Sequence, residues 1–310
     1  MKPIAAAVLL LATFASTAAL ADDQIHRLNN EVYVRIGAVE AQDTDDMPAF
    51  TPASSSGTSS SSTTGLIGPN QAGSGAALQG TVGFRLQPGG HGFMGEVQTT
   101  QISSSNLKTT YVTRGTDSSS SGSTTTTTNS SVKFVQKFSE SNTFVNLGYG
   151  FAFDGDGMQL TPYFTFGDYS SKDSYTGLTA SDGYVRDSFS AAYFGVGLRH
   201  QISLTPTWGL EADVAYEHLN LKWETSNSWA QDVSPWNDST PQRRADGIRL
   251  GLTLTQQVWK NLSATYGGYY HQVSAAGTTV ADTTSGVAVA GPITHKAGTG
   301  GVAAGLALAF

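Results

Sequence analysis

Side chains that could support hydrolysis occur at two places in the sequence. His271 and Ser274 are three residues apart, and Glu217 is next to His218, with Asp168 as a further carboxylate. A histidine must lie within hydrogen-bond reach of the serine that it activates, but residues three apart on a strand face opposite sides. Neither grouping is a complete catalytic motif, so we predict that the protein is not an enzyme.

Metal and cofactor sites also lack a convincing pattern. Residues 154–157 read Asp-Gly-Asp-Gly, which is similar to part of a calcium loop, but the later bidentate glutamate is missing and Asp-Gly is common in hairpin turns. The six histidines show no shared ligand spacing, and the absence of cysteine removes thiolate sites and disulfides. We therefore predict no metal and no cofactor.

The N-terminus has the pattern of an export signal. Lys2 precedes an apolar stretch from Ile4 to Leu11, and Ala19-Leu20-Ala21 forms a small-residue cleavage site. This predicts a signal peptide over residues 1–21. No later apolar run is long enough for a spanning helix, so any membrane-spanning segments must be strands. The net charge of −7 argues against a nucleic-acid partner.

From Glu31 onward, apolar and polar residues alternate in segments typical of strands. Ile248, Leu250 and Leu252 share one face, for example, and Arg249 lies on the other. Short turns alternate with long Ser/Thr-rich connections, as in barrels whose short turns face the periplasm. We predict an all-β, transmembrane, antiparallel up-and-down β-barrel of about ten strands, with eight and twelve as alternatives. The predicted strands are 31–41, 78–88, 91–112, 131–153, 158–170, 187–202, 208–223, 245–258, 262–276 and 298–310.

One predicted strand, 131–153, is unusually long. It is either a single strand with a bulge near residues 139–141 or a hairpin that turns there. The predicted long extracellular loops are 42–77, 113–130, 170–186, 224–244 and 277–297. Two of them contain the low-complexity runs Ser54 to Thr64 and Ser118 to Ser131, which favour solvated loops.

The apolar face of each strand must contact lipid, because an Arg or Lys facing lipid at the midplane costs roughly 2–4 kcal/mol. The charged residues then line the lumen, where both signs are present. We expect either a narrow water path or a closed ion-pair network, with Arg199 next to Glu211 and Asp213 across a tight turn. The predicted lumen charge network is Arg35, Arg85, Glu96, Arg199, Glu211, Asp213, Glu217 and Arg249.

Aromatic residues recur near the strand ends, where they predict two girdles at the membrane interfaces. The girdle on the short-turn side contains Trp208, Trp259 and Phe310. The girdle toward the loops contains Tyr169, Trp223 and Tyr270.

The last strand ends at Phe310, and its alternating residues form one apolar face: Val302, Ala304, Leu306, Leu308 and Phe310. This resembles the C-terminal assembly signal of Gram-negative outer-membrane barrels, although many of these have an aromatic where Leu308 stands. The resemblance implies recognition by the barrel-assembly machinery and residence in the outer membrane, with lipid and lipopolysaccharide as neighbours. Residues 32–38 (Val-Tyr-Val-Arg-Ile-Gly-Ala) and 160–164 (Leu-Thr-Pro-Tyr-Phe) look like small barrels of the OmpA and OmpW kind.

The chain also resembles omptin-like proteases in length and strand number, but the loop after Trp223 contains no histidine. We therefore expect a monomeric, non-enzymatic barrel that is either a narrow, porin-like passive channel or a structural surface protein. The alternatives are a surface adhesin or receptor, and an outer-membrane hydrolase acting on peptides or lipids.

Overall fold

The computed structural model describes residues 24–46, 65–88, 92–118, 125–153, 157–176, 184–227, 243–282 and 288–310. The predicted signal peptide over residues 1–21 lies outside these ranges. A short helix, α1 (Gln24–Asn29), precedes ten strands. The strands are β1 (Glu31–Asp46), β2 (Gly65–Leu86), β3 (Gly92–Ser118), β4 (Thr125–Phe153), β5 (Met158–Thr176), β6 (Tyr184–Thr205), β7 (Trp208–Asn227), β8 (Arg243–Gln257), β9 (Leu262–Asp282) and β10 (Ala288–Ala309).

The strands form one closed antiparallel barrel, in which each strand pairs with its sequence neighbours and β10 pairs with β1. This confirms the predicted architecture and the count of ten. The ambiguous segment 131–153 is part of the single strand β4. The prediction of a bulge at residues 139–141 is wrong, because the irregular pairing between β3 and β4 lies on β3, between Ser104 and Leu107. No helix within the described ranges is long and apolar enough to cross a membrane.

Every strand extends further toward the long connections than the alternation predicts. Of the predicted loops, 42–46, 65–77, 113–118, 125–130, 170–176, 184–186, 224–227, 243–244, 277–282 and 288–297 are strand. The rest of each loop, including Ser54 to Thr64, lies outside the described residues. The strands continue into these segments because threonine favours strands and because ladder pairing satisfies the backbone whatever the hydrophobicity of the side chains.

The two faces of the barrel wall exchange polarity along the strands. In the half of β7 near the short turns, Val214 and Tyr216 point outward and Glu211 and Glu217 point inward. Beyond His218 the pattern reverses, with Leu219 and Leu221 buried inside and Asn220 and Lys222 exposed outside. The same reversal occurs on β1, where Val34 and Ile36 point outward but Val39 and Ala41 point inward.

This reversal divides the barrel into two sections. In the lower section, near the termini and short turns, the outside is apolar as lipid requires. In the upper section the outside is polar, and the inside holds two apolar clusters among buried polar side chains such as Gln136 and Asn142. A polar outside around apolar packing is the arrangement of a water-soluble barrel. β4 has 29 residues, whereas a tilted strand spans a bilayer with about 9–11. Its excess of roughly 18 residues extends roughly 60 Å along the strand, or roughly 45 Å along the axis at a tilt of about 40°.

Candidate functional site in the barrel lumen

Inward-facing side chains fill the described lumen in three successive layers. The lowest is an amide layer at the end that carries the short turns. The Asn29 amide at the end of α1 donates to Gln87 Oε1 at 2.5 Å and to Gln159 Oε1 at 3.1 Å, and it accepts from Gln201 Nε2 at 2.8 Å. Leu28 of the same helix is 3% exposed. Helix α1 and the three glutamines therefore close this end of the barrel, a feature that the sequence did not indicate.

The middle layer is an ion-pair network centred on Glu96 of β3. Glu96 Oε1 accepts from Arg85 Nη2 at 2.9 Å and from the Tyr33 hydroxyl at 3.0 Å. Glu96 Oε2 accepts from Arg199 Nη2 at 2.5 Å and from Asn146 Nδ2 at 2.8 Å. Both carboxylate oxygens are thus fully used in a residue that is 1% exposed.

Two further carboxylates complete the pairing of Arg85 and Arg199. Arg85 donates to both oxygens of Glu211, at 2.6 and 3.0 Å, and to the Leu28 carbonyl at 2.8 Å. Arg199 Nε lies 3.2 Å from Asp213 Oδ2 and 3.6 Å from Glu211 Oε1. The structure therefore places the predicted partners of Arg199 beside it. It adds the contacts of Glu96 with both arginines and the Arg85–Glu211 pair, which the sequence did not indicate.

A second charged group lies higher in the lumen, around Glu217. Arg249 Nε is 3.5 Å from Glu217 Oε1, and its guanidinium stacks on the Phe144 ring at 3.6 Å. His271 lies between two carboxylates, with Nε2 at 3.1 Å from Glu217 Oε2 and Nδ1 at 3.3 Å from Glu140 Oε1. Burial without partners would be costly for each of these groups, so their mutual pairing explains why they are tolerated inside.

Arg35 also points into the lumen, but its environment differs from that of the other three arginines. It stacks on the Tyr33 ring at 4.4 Å. Among the described residues, no carboxylate forms a salt bridge with it. All eight predicted lumen residues therefore lie inside the barrel, and seven of them take part in ion pairs.

The rings of two inward-facing tyrosines pack against glycines on neighbouring strands. Tyr33 is paired with Gly83, and Tyr163 is paired with Gly197. A Cβ atom at Gly83 or Gly197 would lie 2.1 or 2.2 Å from the tyrosine ring, so only glycine leaves room for it. The Tyr163 hydroxyl reaches Asp213 at 2.8 Å, which links this packing to the ion-pair network.

The upper layer consists of two apolar clusters. One contains Val39, Ala41, Ala77, Ile102, Leu107 and Phe138, and the other contains Phe144, Tyr169, Phe189, Ala191, Tyr193, Leu219, Leu221, Ala245, Val273 and Ala275. Tyr169 is 2% exposed and packs inside, so its predicted place in an outer aromatic girdle was wrong. Trp259 and Tyr270 are exposed as predicted, at 73% and 39%. The side chain of Trp223 lies outside the described residues.

The candidate hydrolase residues are not assembled into a catalytic group. His271 is buried in the lumen whereas Ser274 lies on the opposite face of β9, as their spacing predicts. Glu217 points inward and His218 outward, where His218 Nδ1 lies 3.2 Å from Asp246 Oδ1. The Tyr216 hydroxyl donates a hydrogen bond to the same carboxylate oxygen, at 2.6 Å. Across the described ranges no three histidine or acidic side chains are grouped as metal ligands.

The predicted C-terminal signal forms an exposed outer stripe on β10. Val302, Leu306 and Leu308 are 68%, 56% and 53% exposed. Phe310 stacks on Phe84 of β2 with ring centroids 5.6 Å apart, so this contact reaches over β1 from the end of β10.

The closed ten-stranded barrel, with its apolar lower belt and filled lumen, has the fold of an outer-membrane β-barrel. Among solved structures it is similar to the outer membrane protease OmpT of Escherichia coli, with a TM-score of 0.57 and 11% identity over 95% of this chain and 99% of that one. No family model and no curated protein matches the chain.

Two further similarities are much looser. A FadL homologue of Pseudomonas aeruginosa matches with a TM-score of 0.29 and 7% identity, over 91% of this chain and 90% of that one. The Acinetobacter baumannii outer membrane protein Omp33 matches with a TM-score of 0.20 and 8% identity, over 91% and 100%. Scores this low carry no structural argument, so the comparisons support the barrel fold and leave its activity open.

Proposed function

We propose that the protein is a non-conducting structural barrel of the Gram-negative outer membrane, which carries its long connections away from the membrane surface. The observation that carries the proposal is the filling of the lumen. Gln201, Glu217 and Leu219, one from each level of the lumen, are each 0% exposed. A water-filled channel would expose its lining side chains, so this packing favours a closed barrel over a passive pore.

The reversal of polarity supports the second part of the proposal. Above the level of His218, the outside of the wall is polar and the inside is packed with apolar side chains. Such a section is stable in water without lipid, so it serves as a rigid extension that lifts the connections outward. This geometry suits a surface protein that presents loops, as a receptor or adhesin does.

The proposal includes a monomer without catalytic activity, surrounded by lipid and lipopolysaccharide and delivered by the barrel-assembly machinery. The exposed stripe that ends at Phe310 supports recognition by that machinery. The separation of His271 from Ser274, and of Glu217 from His218, argues against hydrolysis of peptides or lipids by these residues.

Planar-bilayer recording tests the closed lumen, and β6 offers matched variants. One variant truncates an inward side chain in each layer, and the other truncates three outward ones. The inward triple is Gln201→Ala, Arg199→Ala and Tyr193→Ala, and the outward triple is Leu198→Ala, Val196→Ala and Phe194→Ala. We expect no conductance from the wild type or the outward triple, and irregular openings from the inward triple. Discrete, stable conductance steps from the folded wild type would contradict the proposal.

Cysteine labelling tests the projection beyond the membrane, because the chain has no native cysteine. Asn220 and Val214 are both exposed and outward-facing on β7, on either side of the reversal. With the barrel in lipid vesicles, a membrane-impermeant maleimide should label Asn220→Cys rapidly and leave Val214→Cys protected. Equal protection of both positions would show that lipid covers the upper section and would remove this part of the proposal.

A further inference from the structure

A cavity of about 60 Å³ remains in the middle of the otherwise filled lumen. One side of it is formed by small residues, namely Gly267, Gly268 and Ala303. Gly267 and Ala303 face inward on β9 and β10, so small inward residues of the last strands leave space that the long side chains opposite do not fill. The volume suits a small ion with a few water molecules and excludes a larger organic ligand.

The charged lining of this cavity has more cations than anions. Four arginines line it, against three carboxylates: Arg35, Arg85, Arg199 and Arg249 against Glu96, Glu211 and Asp213. The carboxylates are engaged by only two of the arginines, since Arg85 bonds Glu96 and Glu211 while Arg199 bonds Glu96 and Asp213. Arg249 is paired instead with Glu217, which lies outside the cavity lining, at the long distance of 3.5 Å, and Arg35 forms no salt bridge among the described residues.

Arg249 has the clearest unmet bonding capacity. It is 3% exposed, and neither Nε nor Nη1 makes a hydrogen bond. Its nearest acceptors, Glu217 Oε1 and Asn146 Oδ1, are both 3.5 Å away, from Nε and Nη2 respectively. Nε of Arg35 is also buried without a hydrogen-bond partner. Buried guanidinium nitrogens that make no hydrogen bond are costly, so a further acceptor in the cavity would stabilise them.

We propose that the cavity binds one small monovalent anion of the halide class between Arg35 and Arg249. The guanidinium groups supply donors on one side, and Gly267, Gly268 and Ala303 supply room. The three carboxylates on the wall repel a multiply charged anion, which restricts the site to monovalent species. The site is a fixed structural one, since the amide layer lies below the cavity and the apolar clusters lie above it.

Halide dependence of folding tests this site in the full mature barrel. The folded-to-unfolded ratio is measured in urea by heat-modifiable electrophoretic mobility, in sodium chloride against sodium gluconate at equal ionic strength. For a single site that binds only the folded state, the ratio rises about tenfold for each tenfold rise in chloride above the dissociation constant. Identical ratios in chloride and gluconate would overturn the proposal.

Three arginine variants locate the effect. Arg249→Gln and Arg35→Gln should lose the chloride dependence. Arg244→Gln should keep it, because Arg244 is on the same strand as Arg249 but is exposed on the outer face. Chloride dependence that persists unchanged in both lumen variants would place the anion elsewhere and overturn the assignment.

Anomalous diffraction from wild-type crystals grown in sodium bromide keeps the proposal testable if the lumen variants fail to fold. The expected result is one bromide peak in contact with the guanidinium groups of Arg35 and Arg249. The absence of a peak there would overturn the proposal. A peak without halide dependence of the folding ratio would indicate binding at crystal concentration only, and it would also overturn the proposal.

Discussion

The substitution Glu96→Gln tests whether the ion-pair network stabilises the barrel. Glutamine has the same shape as glutamate but one acceptor oxygen instead of two. If its carbonyl oxygen keeps the contacts with Arg85 and Tyr33, its amide group must face Arg199 Nη2 and Asn146 Nδ2. Both of these atoms are donors, so at least two hydrogen bonds are lost together with the negative charge.

The size of the effect follows from the partners that remain. Hydrogen bonds to charged groups contribute about 1.5–3 kcal/mol each, and breaking a buried ion pair from one side costs about 3–5 kcal/mol. After the substitution, Arg85 and Arg199 share only Glu211 and Asp213. We therefore expect the free energy of unfolding to fall by about 3–5 kcal/mol, which lowers the folded-to-unfolded ratio by a factor of roughly 10²–10⁴.

Reversible urea titration in lipid vesicles measures this change, followed by electrophoretic mobility and tryptophan fluorescence. Glu40→Gln is the matched control, because Glu40 is an exposed, outward-facing carboxylate on β1 with no hydrogen bond or ion pair among the described residues. The control should lie within about 0.5 kcal/mol of the wild type. A Glu96→Gln barrel as stable as the control would refute the view that the network holds the lumen together.

Two further substitutions test other lumen contacts. Gly197→Val places a side chain against the Tyr163 ring and should lower the free energy of unfolding in urea by about 1–3 kcal/mol. Gly80→Val is the control and should be tolerated, because a Cβ atom at Gly80 meets nothing within 4 Å. Equal effects of the two substitutions would contradict the proposed packing of Tyr163 on Gly197. His271→Gln removes the imidazole between Glu140 and Glu217 and should lower the free energy of unfolding by about 3 kcal/mol. The control is His200→Gln, because His200 faces outward. A wild-type unfolding midpoint for the His271 variant would show that the imidazole contributes no net stability.

The sequence predicts which side chains face the lumen and which face outward, because side chains alternate between the two faces of a strand. Arg249, for example, lies between Ile248 and Leu250, so placing those two residues in lipid puts the arginine inside. The same alternation places His271 and Ser274 on opposite faces. Alternation does not depend on strand tilt or register, so all eight lumen charges face the side that it predicts.

The pairing of those charges could not be predicted in the same way. Glu96 and Arg199 are 103 positions apart, and they meet because strand tilt and register bring β3 and β6 to the same height across the lumen. Only the contacts of Arg199 with Glu211 and Asp213 were accessible from sequence, because a short turn joins their strands. The closure by α1 was missed because six residues give too little periodicity to indicate a helix.

The reversal of polarity was present in the sequence, and it explains why the strands were predicted too short. Along β7 the apolar residues occupy even positions up to Tyr216 and odd positions from Leu219. A strand cannot change face within its ladder without a bulge, and none occurs there. In the proposed arrangement, the shift in phase lies at the level where the surroundings of the wall change from lipid to water. Because the upper section needs an apolar interior to be stable in water, the packing that extends the barrel outward is also what closes its lumen.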